Sequence, residues 1–287
     1  MKSDWETLLP LLVHIQANLD ADLSLDALAR TSGLSPFHLH RLFKAAIGEA
    51  PKAYTTRLRL ERGAFRLLIH EASILDIALD CGYQSHETFI RAFRRRFGKA
   101  PGEYRDWVQT EAAAWQAQPR AAAATGSGYE ISATKVTRMR PVHLAFIRHV
   151  GPYENVPDSL YAELEVWAAT RQPPGPPIWM GIGHDAPNTT EAELLRFDAA
   201  LVVPAPFAAE GRVAHQVLPG GHFAVTTHAG SFTTLPAAYA TIFPRLMALP
   251  GDRLVGLPAV EIYRTARVNA QYDLNHTEIC LPVVAAG

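Results

Sequence analysis

The chain has 287 residues, 48% hydrophobic and 19% charged, with a formal net charge of −1, an ordinary globular composition long enough for two domains. No apolar run approaches the roughly 18 residues that cross a bilayer, and Asp4, Glu6, Pro10 and His14 break up the first residues, so neither a membrane span nor a signal peptide is expected. Cys81 and Cys280 lie far apart and form no disulfide framework, which points to a reducing cytoplasm.

In chain order, Trp5, Leu8, Leu9, Leu12, Ile15 and Leu19 recur at three-to-four spacing and predict an amphipathic helix. Ser24 is a candidate N-cap for a helix over 25–31, and Ser35 before Pro36 opens another to about Ile47. A longer helix over 52–69 places Tyr54, Leu58, Leu60, Ala64, Leu67 and Leu68 on its buried side, Ser73 starts a short helix, and Ser85 starts one that reaches Arg96 or Phe97. Residues 112–128, AAAWQAQPRAAAATGSG, read as a helix tail and a flexible linker. Beyond Tyr129 the pattern turns to period two over 131–136, 142–150, 178–184, 194–203, 224–228 and 278–283, with helical stretches at 156–170 and 235–249. The expected division is an all-α domain over 1–112, a linker over 113–128 and an α+β domain over 129–287.

Charge is segregated along this plan. Residues 36–105 hold 13 Lys and Arg against 7 Asp and Glu, whereas residues 119–287 hold 12 against 14. A cationic segment in a near-neutral chain is the footprint of phosphate contact, although a charge run alone more often marks a solvated face.

The same segment contains itself twice. Leu28, Ala29 and Gly33 recur as Ile77, Ala78 and Gly82, and Leu39, Arg41, Phe43, Gly48, Pro51 and Tyr54 recur as Phe89, Arg91, Phe93, Gly98, Pro101 and Tyr104, one extra residue having entered the turn of the second copy. Each copy has the logic of a helix-turn-helix: a small Ala for close helix approach, a Gly that ends the first helix with positive φ, and a capped second helix with one face left for the major groove. The connecting helix over 52–69 spans about 27 Å, near the 34 Å or so of one DNA turn.

Residues 77–105, IALDCGYQSHETFIRAFRRRFGKAPGEYR, resemble the signature of the AraC/XylS regulator family, and residues 24–54 resemble its first, more variable copy. The likeness covers about residues 5–108. It implies a transcriptional regulator that binds double-stranded promoter or operator DNA, with RNA polymerase as a further partner. By that resemblance, Phe37, His38, His40 and Arg41 face the groove from the first reading helix, and His86, Glu87, Thr88, Ile90 and Arg91 from the second. Arg41 and Arg91 have the fork that takes guanine O6/N7 or a phosphate, and an exposed Phe37 suits a thymine methyl or a sugar. Lys44, Lys52, Arg57, Arg94, Arg95 and Lys99 are candidate phosphate contacts, and Phe43 and Phe93 are expected in the core. Glu87 and Ile90 depart from the amide and hydroxyl groups that relatives often carry there, so the second helix is expected to read less, or a different half-site.

The second domain repeats too. Residues 142–153 match 221–232 at an offset of 79, each copy a strand, then Gly-x-aromatic, then a helix. Two such units side by side predict a pseudo-two-fold sheet with a ligand cleft at the junction. GPYE at 151–154, LRFDAALVV at 195–203, LPGGHFAV at 218–225, AVEIY at 259–263 and TEICLPV at 277–283 resemble the GyrI-like effector-binding family. That resemblance implies a pocket for lipophilic, often cationic, small-molecule effectors, hence multidrug sensing. Glu261 shares a strand face with Ala259 and Tyr263, and a carboxylate there requires hydrogen bonds or a cation. Tyr153, Trp179, Phe223, Tyr239 and Tyr263 are candidate lining residues, with plain core packing as the alternative for each.

No Gly-x-Ser-x-Gly, His-Glu-x-x-His or phosphate loop occurs, and the twelve histidines show no ligand spacing. No cofactor, metal or catalytic residue is expected. The alternatives are a ligand-free protein-interaction module and a small-molecule hydrolase using Glu261.

Overall fold

A computed structural model describes residues 4–69, 72–117, 128–171, 175–247, 253–256, 258–265 and 275–284. The chain forms two compact units, Met1–Gln109 with Phe207–Gln216, and Thr110–Pro206 with Val217–Gly287. Seven helices lead: α1 (Asp4–Ala17), α2 (Leu25–Ser32), α3 (Pro36–Ile47), α4 (Pro51–Ile69), α5 (Ile74–Asp80), α6 (His86–Phe97) and α7 (Pro101–Ala117). Of the expected linker, residues 113–117 belong to α7 and residues 118–127 lie outside the described residues.

The helical repeat is physical as well as textual. Ser24, Ser35, Ser73 and Ser85 each accept a backbone N–H three residues on, at 3.1 to 3.3 Å, which satisfies an orphan donor at each helix start. At the turns, Gly33 and Gly82 adopt φ of 69° and 76°, and the amides of Leu34 and Tyr83 reach back to the carbonyls of Ala29 and Ala78 at 3.1 and 3.0 Å. The extra residue of the second turn is Gln84, between Tyr83 and Ser85. Both copies close with an edge-to-face pair, Phe43 on Tyr54 at 5.4 Å and Phe93 on Tyr104 at 5.3 Å. Around the second copy, Leu60, Ala64 and Leu67 of α4 join Ile77, Ala78, Phe89, Phe93 and Tyr104 in one buried cluster.

The remaining chain supplies β1 (Tyr129–Ile131), β2 (Lys135–Met139), β3 (Val142–Val150), α8 (Ser159–Ala169), β4 (Trp179–Gly183), β5 (Arg196–Val203), β6 (Ala214–Leu218), β7 (Gly221–Gly230), α9 (Leu235–Met247), β8 (Arg253–Leu254), β9 (Ala259–Tyr263) and β10 (Asn275–Val284). The strand expected over 131–136 is two strands, β1 and β2, which both pair with β7 and are separated by residues 132–134. The sequence did not announce β6, because its buried positions are Ala214 and Leu218 rather than alternate residues.

Along the antiparallel path β7-β10-β9-β4-β5-β3, the two halves meet at β9 and β4. The duplicated strands β3 and β7 stand at equivalent places on either side, as a pseudo-two-fold sheet requires. Residues opposite one another in register point to one face, so Glu261 shares its side with Gly181, Ala199 and Ile147 across β4, β5 and β3, and with Ile279 and Thr226 across β10 and β7. The other side carries a buried pair, Arg148 Nε and Nη2 donating to the two oxygens of Asp198 at 2.7 and 2.8 Å, with His184 beside it. Desolvation alone would raise the Asp198 carboxyl, but the Arg148 and His184 charges overcome it and hold the group well below the usual carboxylate range.

The two turn glycines separate conformation from space. A Cβ on Gly33 meets nothing within 4 Å, whereas one on Gly82 falls 2.4 Å from the Leu19 carbonyl oxygen and 2.8 Å from Arg59 Nη2. Gly33→Ala is expected to cost about 1 kcal/mol from the left-handed backbone alone, and Gly82→Ala about 3 kcal/mol because overpacking adds to it. Urea unfolding of the two variants checks the order, and equal losses refute the packing argument.

Candidate functional site

Of the two repeated helices, the first, α3, presents Phe37, His38, His40 and Arg41 to solvent, with Phe37 78% exposed, while Leu39 and Phe43 are buried. In the second, Glu87, Thr88 and Arg91 are exposed, His86 and Ile90 half-buried, and Phe89 and Phe93 buried. Glu87 and Thr88 also have local work at the start of α6. Thr88 Oγ1 lies 2.9 Å from Ser85 Oγ, and hydrogen bonds from its own backbone N–H and from Ser85 lower the Glu87 carboxyl below its ordinary range. A carboxylate on the first turn of a helix is favourable, which accounts for an acidic residue in this position.

Lys44, Lys52, Arg94, Arg95 and Lys99 are exposed on the same unit. Arg94 Nη2 lies 3.8 Å from Glu103, and Lys99 Nζ lies 5.7 Å from the Trp107 ring centroid. The expectation for Arg57 needs correction. Its side chain is 10% exposed, its Nε donates to Glu49 at 3.1 Å and its Nη1 to Glu61 at 3.2 Å, so it faces two carboxylates rather than the surface. Several other arginines of the cationic segment are half-buried and also hold partners within the unit. Arg59 donates to the carbonyls of Leu19 and Ala21, Arg66 pairs with Asp80, Arg96 with Glu61, and Arg105 donates to Ala72 O.

In the sheet unit, both carboxylate oxygens of Glu261 are held by phenols. Tyr239 Oη donates to Oε1 at 3.0 Å and Tyr263 Oη donates to Oε2 at 2.7 Å. Tyr239 comes from α9, while Tyr161 of α8 donates to Tyr263 Oη at 3.4 Å and to Met180 O at 3.1 Å. One tyrosine from each helix therefore converges on the β9–β4 seam. Burial raises the Tyr239 phenol well above its ordinary range, and the neighbouring Glu261 charge raises it further, so it remains a donor.

Tyr263 can fold back over its own strand because β4 gives way there. Gly181 stands directly opposite Glu261, and a Cβ on it would lie 2.3 Å from Tyr263 Oη and 2.6 Å from Phe197 Cζ. Around this point Trp179 is half-buried, 6.0 Å ring to ring from Tyr161, and Phe232 packs edge-on to Tyr263 at 5.3 Å. Tyr153 lies over Gly183, its hydroxyl donating to Asp185 O at 2.8 Å and accepting from Asp185 N–H at 3.0 Å. Glu261, Tyr263, Tyr239, Trp179 and Tyr153 are thus brought together.

Phe223 is not. It pairs with Pro282, an odd number of residues from the Ile279 that faces Glu261, and so is buried under the opposite side of the sheet. A one-residue change of parity moves a strand side chain from one face to the other. Tyr161, Phe197, Phe232 and Gly181 join the site without having been singled out. Phe232 was legible as the counterpart of Tyr153 at the 79-residue offset, but nothing local marks the other three.

Residues 133–284, more than half of the chain, match the family described as GyrI-like small molecule binding domain, and residues 28–106 match a helix-turn-helix domain. The regulatory protein SoxS of Escherichia coli K12 is 38% identical over 95 residues, which cover 33% of this chain and 89% of SoxS. The chain belongs to the AraC/XylS family and carries a GyrI-like domain. The right origin-binding protein of Escherichia coli K12 is 42% identical over 95 residues, a match that spans 33% of each chain and thus about a third of that relative's length. A transcriptional regulator from Chromobacterium violaceum with an AraC-type DNA-binding domain is a structural neighbour, at 34% identity and a TM-score of 0.33 over 39% of this chain and 94% of that one.

Proposed function

We propose that the chain is a sequence-specific DNA-binding transcriptional regulator whose GyrI-like domain senses a small hydrophobic or cationic compound. One observation carries the reading: a carboxylate at the seam of a duplicated sheet, ringed by aromatics and gripped by two phenols, in the same chain as a duplicated pair of capped helices that bear Arg41 and Arg91 on exposed faces. Two phenol donors stabilise negative charge on Glu261. Tyr161, Trp179, Tyr263 and Phe232 supply aromatic rings whose faces attract a lipophilic cation. Both Glu261 oxygens already accept hydrogen bonds, which suits a fixed counter-charge better than a general base, and this favours a sensor over a hydrolase.

On the DNA side, Phe37, His38, His40 and Arg41 form the leading reading surface. His86, Glu87, Thr88, Ile90 and Arg91 form the second, with less free side chain at Glu87 and Thr88. Lys44, Lys52, Arg94, Arg95 and Lys99 supply phosphate contacts, which fix position and carry no sequence information. The natural setting is the cytoplasm, with RNA polymerase as the further partner through which bound ligand alters transcription.

For duplexes selected from random DNA, Arg41→Ala is expected to weaken binding by about 1–3 kcal/mol and to relax base preference, while Lys52→Ala weakens selected and random duplexes alike. Anisotropy titrations against both duplex types check this, and the same loss on both from Arg41→Ala refutes its reading role. For the sensing half, thermal denaturation with a panel of lipophilic cations, tetraphenylphosphonium among them, is expected to raise the Tm of the wild type by several degrees and that of Glu261→Gln much less. Gly181→Ala, which displaces Tyr263, is expected to behave like Glu261→Gln. No shift across the panel favours the protein-interaction module instead.

A further inference from the structure

Glu61 is an acidic residue in the middle of α4, 6% exposed, and lies among the groups that join the two halves of the helical repeat. Arg57 Nη1 stands 3.2 Å from its Oε2 and Arg96 Nη2 3.8 Å from its Oε1. Arg57 also pairs with Glu49, in the turn between the end of α3 at Gly48 and the start of α4 at Pro51. Arg96 is the penultimate residue of α6. The series Glu49, Arg57, Glu61, Arg96 therefore alternates in charge from the end of the first reading helix, through the connecting helix, to the end of the second.

The repeat shows why these residues are not generic to the motif. At the 50-residue offset Glu49 corresponds to Lys99, and Arg96 corresponds to Ala46. Both ends of the series are positions where one copy carries a charge that the other lacks or reverses. Leu60, Ala64 and Leu67 of α4 share a buried apolar cluster with Phe89 and Phe93 of α6, but burial of apolar area is non-directional. A buried charge pair contributes little net stability, and its best-attested use is to fix register.

We propose that Glu61 is a positioning residue for two-site DNA recognition: by holding Arg57 and Arg96 together it sets the rotation of α6 about α4, and hence the spacing at which the two reading helices meet one duplex. The inference rests on the reading that both helices contact DNA.

The test uses the full chain and a duplex selected by the wild type from random DNA, with a panel in which one base pair is inserted or deleted between the two half-sites and a duplex that retains one half-site. Wild type is expected to lose about tenfold or more in affinity for the altered spacings. Glu61→Gln and Arg96→Gln are expected to cut that spacing penalty to about threefold or less while leaving single half-site affinity unchanged, and Arg96→Lys to restore it. Arg96 is 27% exposed, so its variants decide the matter should Glu61→Gln fail to fold. A full spacing penalty retained in folded Glu61→Gln or Arg96→Gln overturns the positioning role. No spacing penalty in the wild type contradicts the two-helix reading itself, and the role of Glu61 falls with it.

Discussion

A carboxylate removed from water must be met by donors or by a cation, and Glu61 of the helical unit and Glu261 of the sheet unit meet that demand in different ways. In the helical unit, Glu61 is met permanently by two arginines of the chain itself. In the sheet unit, Glu261 accepts hydrogen bonds from two phenols, one on each carboxylate oxygen. The first arrangement is complete within the protein and serves geometry. The second sets a carboxylate among aromatic rings, the setting in which the proposed lipophilic cation would gain by binding.

Both units reach their sites by duplication. In the helical unit, repeated serine caps, repeated Gly turns and repeated Phe–Tyr pairs give two reading helices of nearly identical construction. Their differences, rather than their likeness, distinguish them: Glu87 and Thr88 take part in local hydrogen bonds with Ser85 where Phe37 and His38 are exposed, and Arg96 reaches Glu61 where the first copy has Ala46. In the sheet unit, duplication creates a seam, β9 against β4, that belongs to neither copy. Glu261 comes from one side and the glycine opposite it from the other, so the site exists only where the halves meet.

How much of this was legible in the sequence follows from how local each cause is. Helix starts and stops were readable because a Ser cap and a positive-φ Gly act within three or four residues. Glu261 was readable because a carboxylate on an apolar strand face is anomalous by itself. Phe223 was misplaced because the face of β7 is set by its pairing with β10, which no property of residues 221–225 reveals. Arg57 was misplaced because the i,i+4 spacing to Glu61 was not weighed, and its second partner, Glu49, comes beside it only through the turn that precedes α4. Net charge over a segment counts arginines without separating those that face solvent from those used as internal ties. Tyr161 and Phe197 were missed for a related reason, since their contacts span 102 residues to Tyr263 and 44 to Tyr153, and local pattern carries no record of them.

Joining DNA reading to occupancy of the Glu261 site, as proposed, requires the bound compound to favour one DNA-binding state over another. The most direct measurement is the Kd for a selected duplex with and without saturating tetraphenylphosphonium, in the wild type and in Glu261→Gln. A change of about fivefold or more is expected in the wild type and none in the variant. An unchanged Kd in a wild-type protein shown by calorimetry to hold the cation contradicts it.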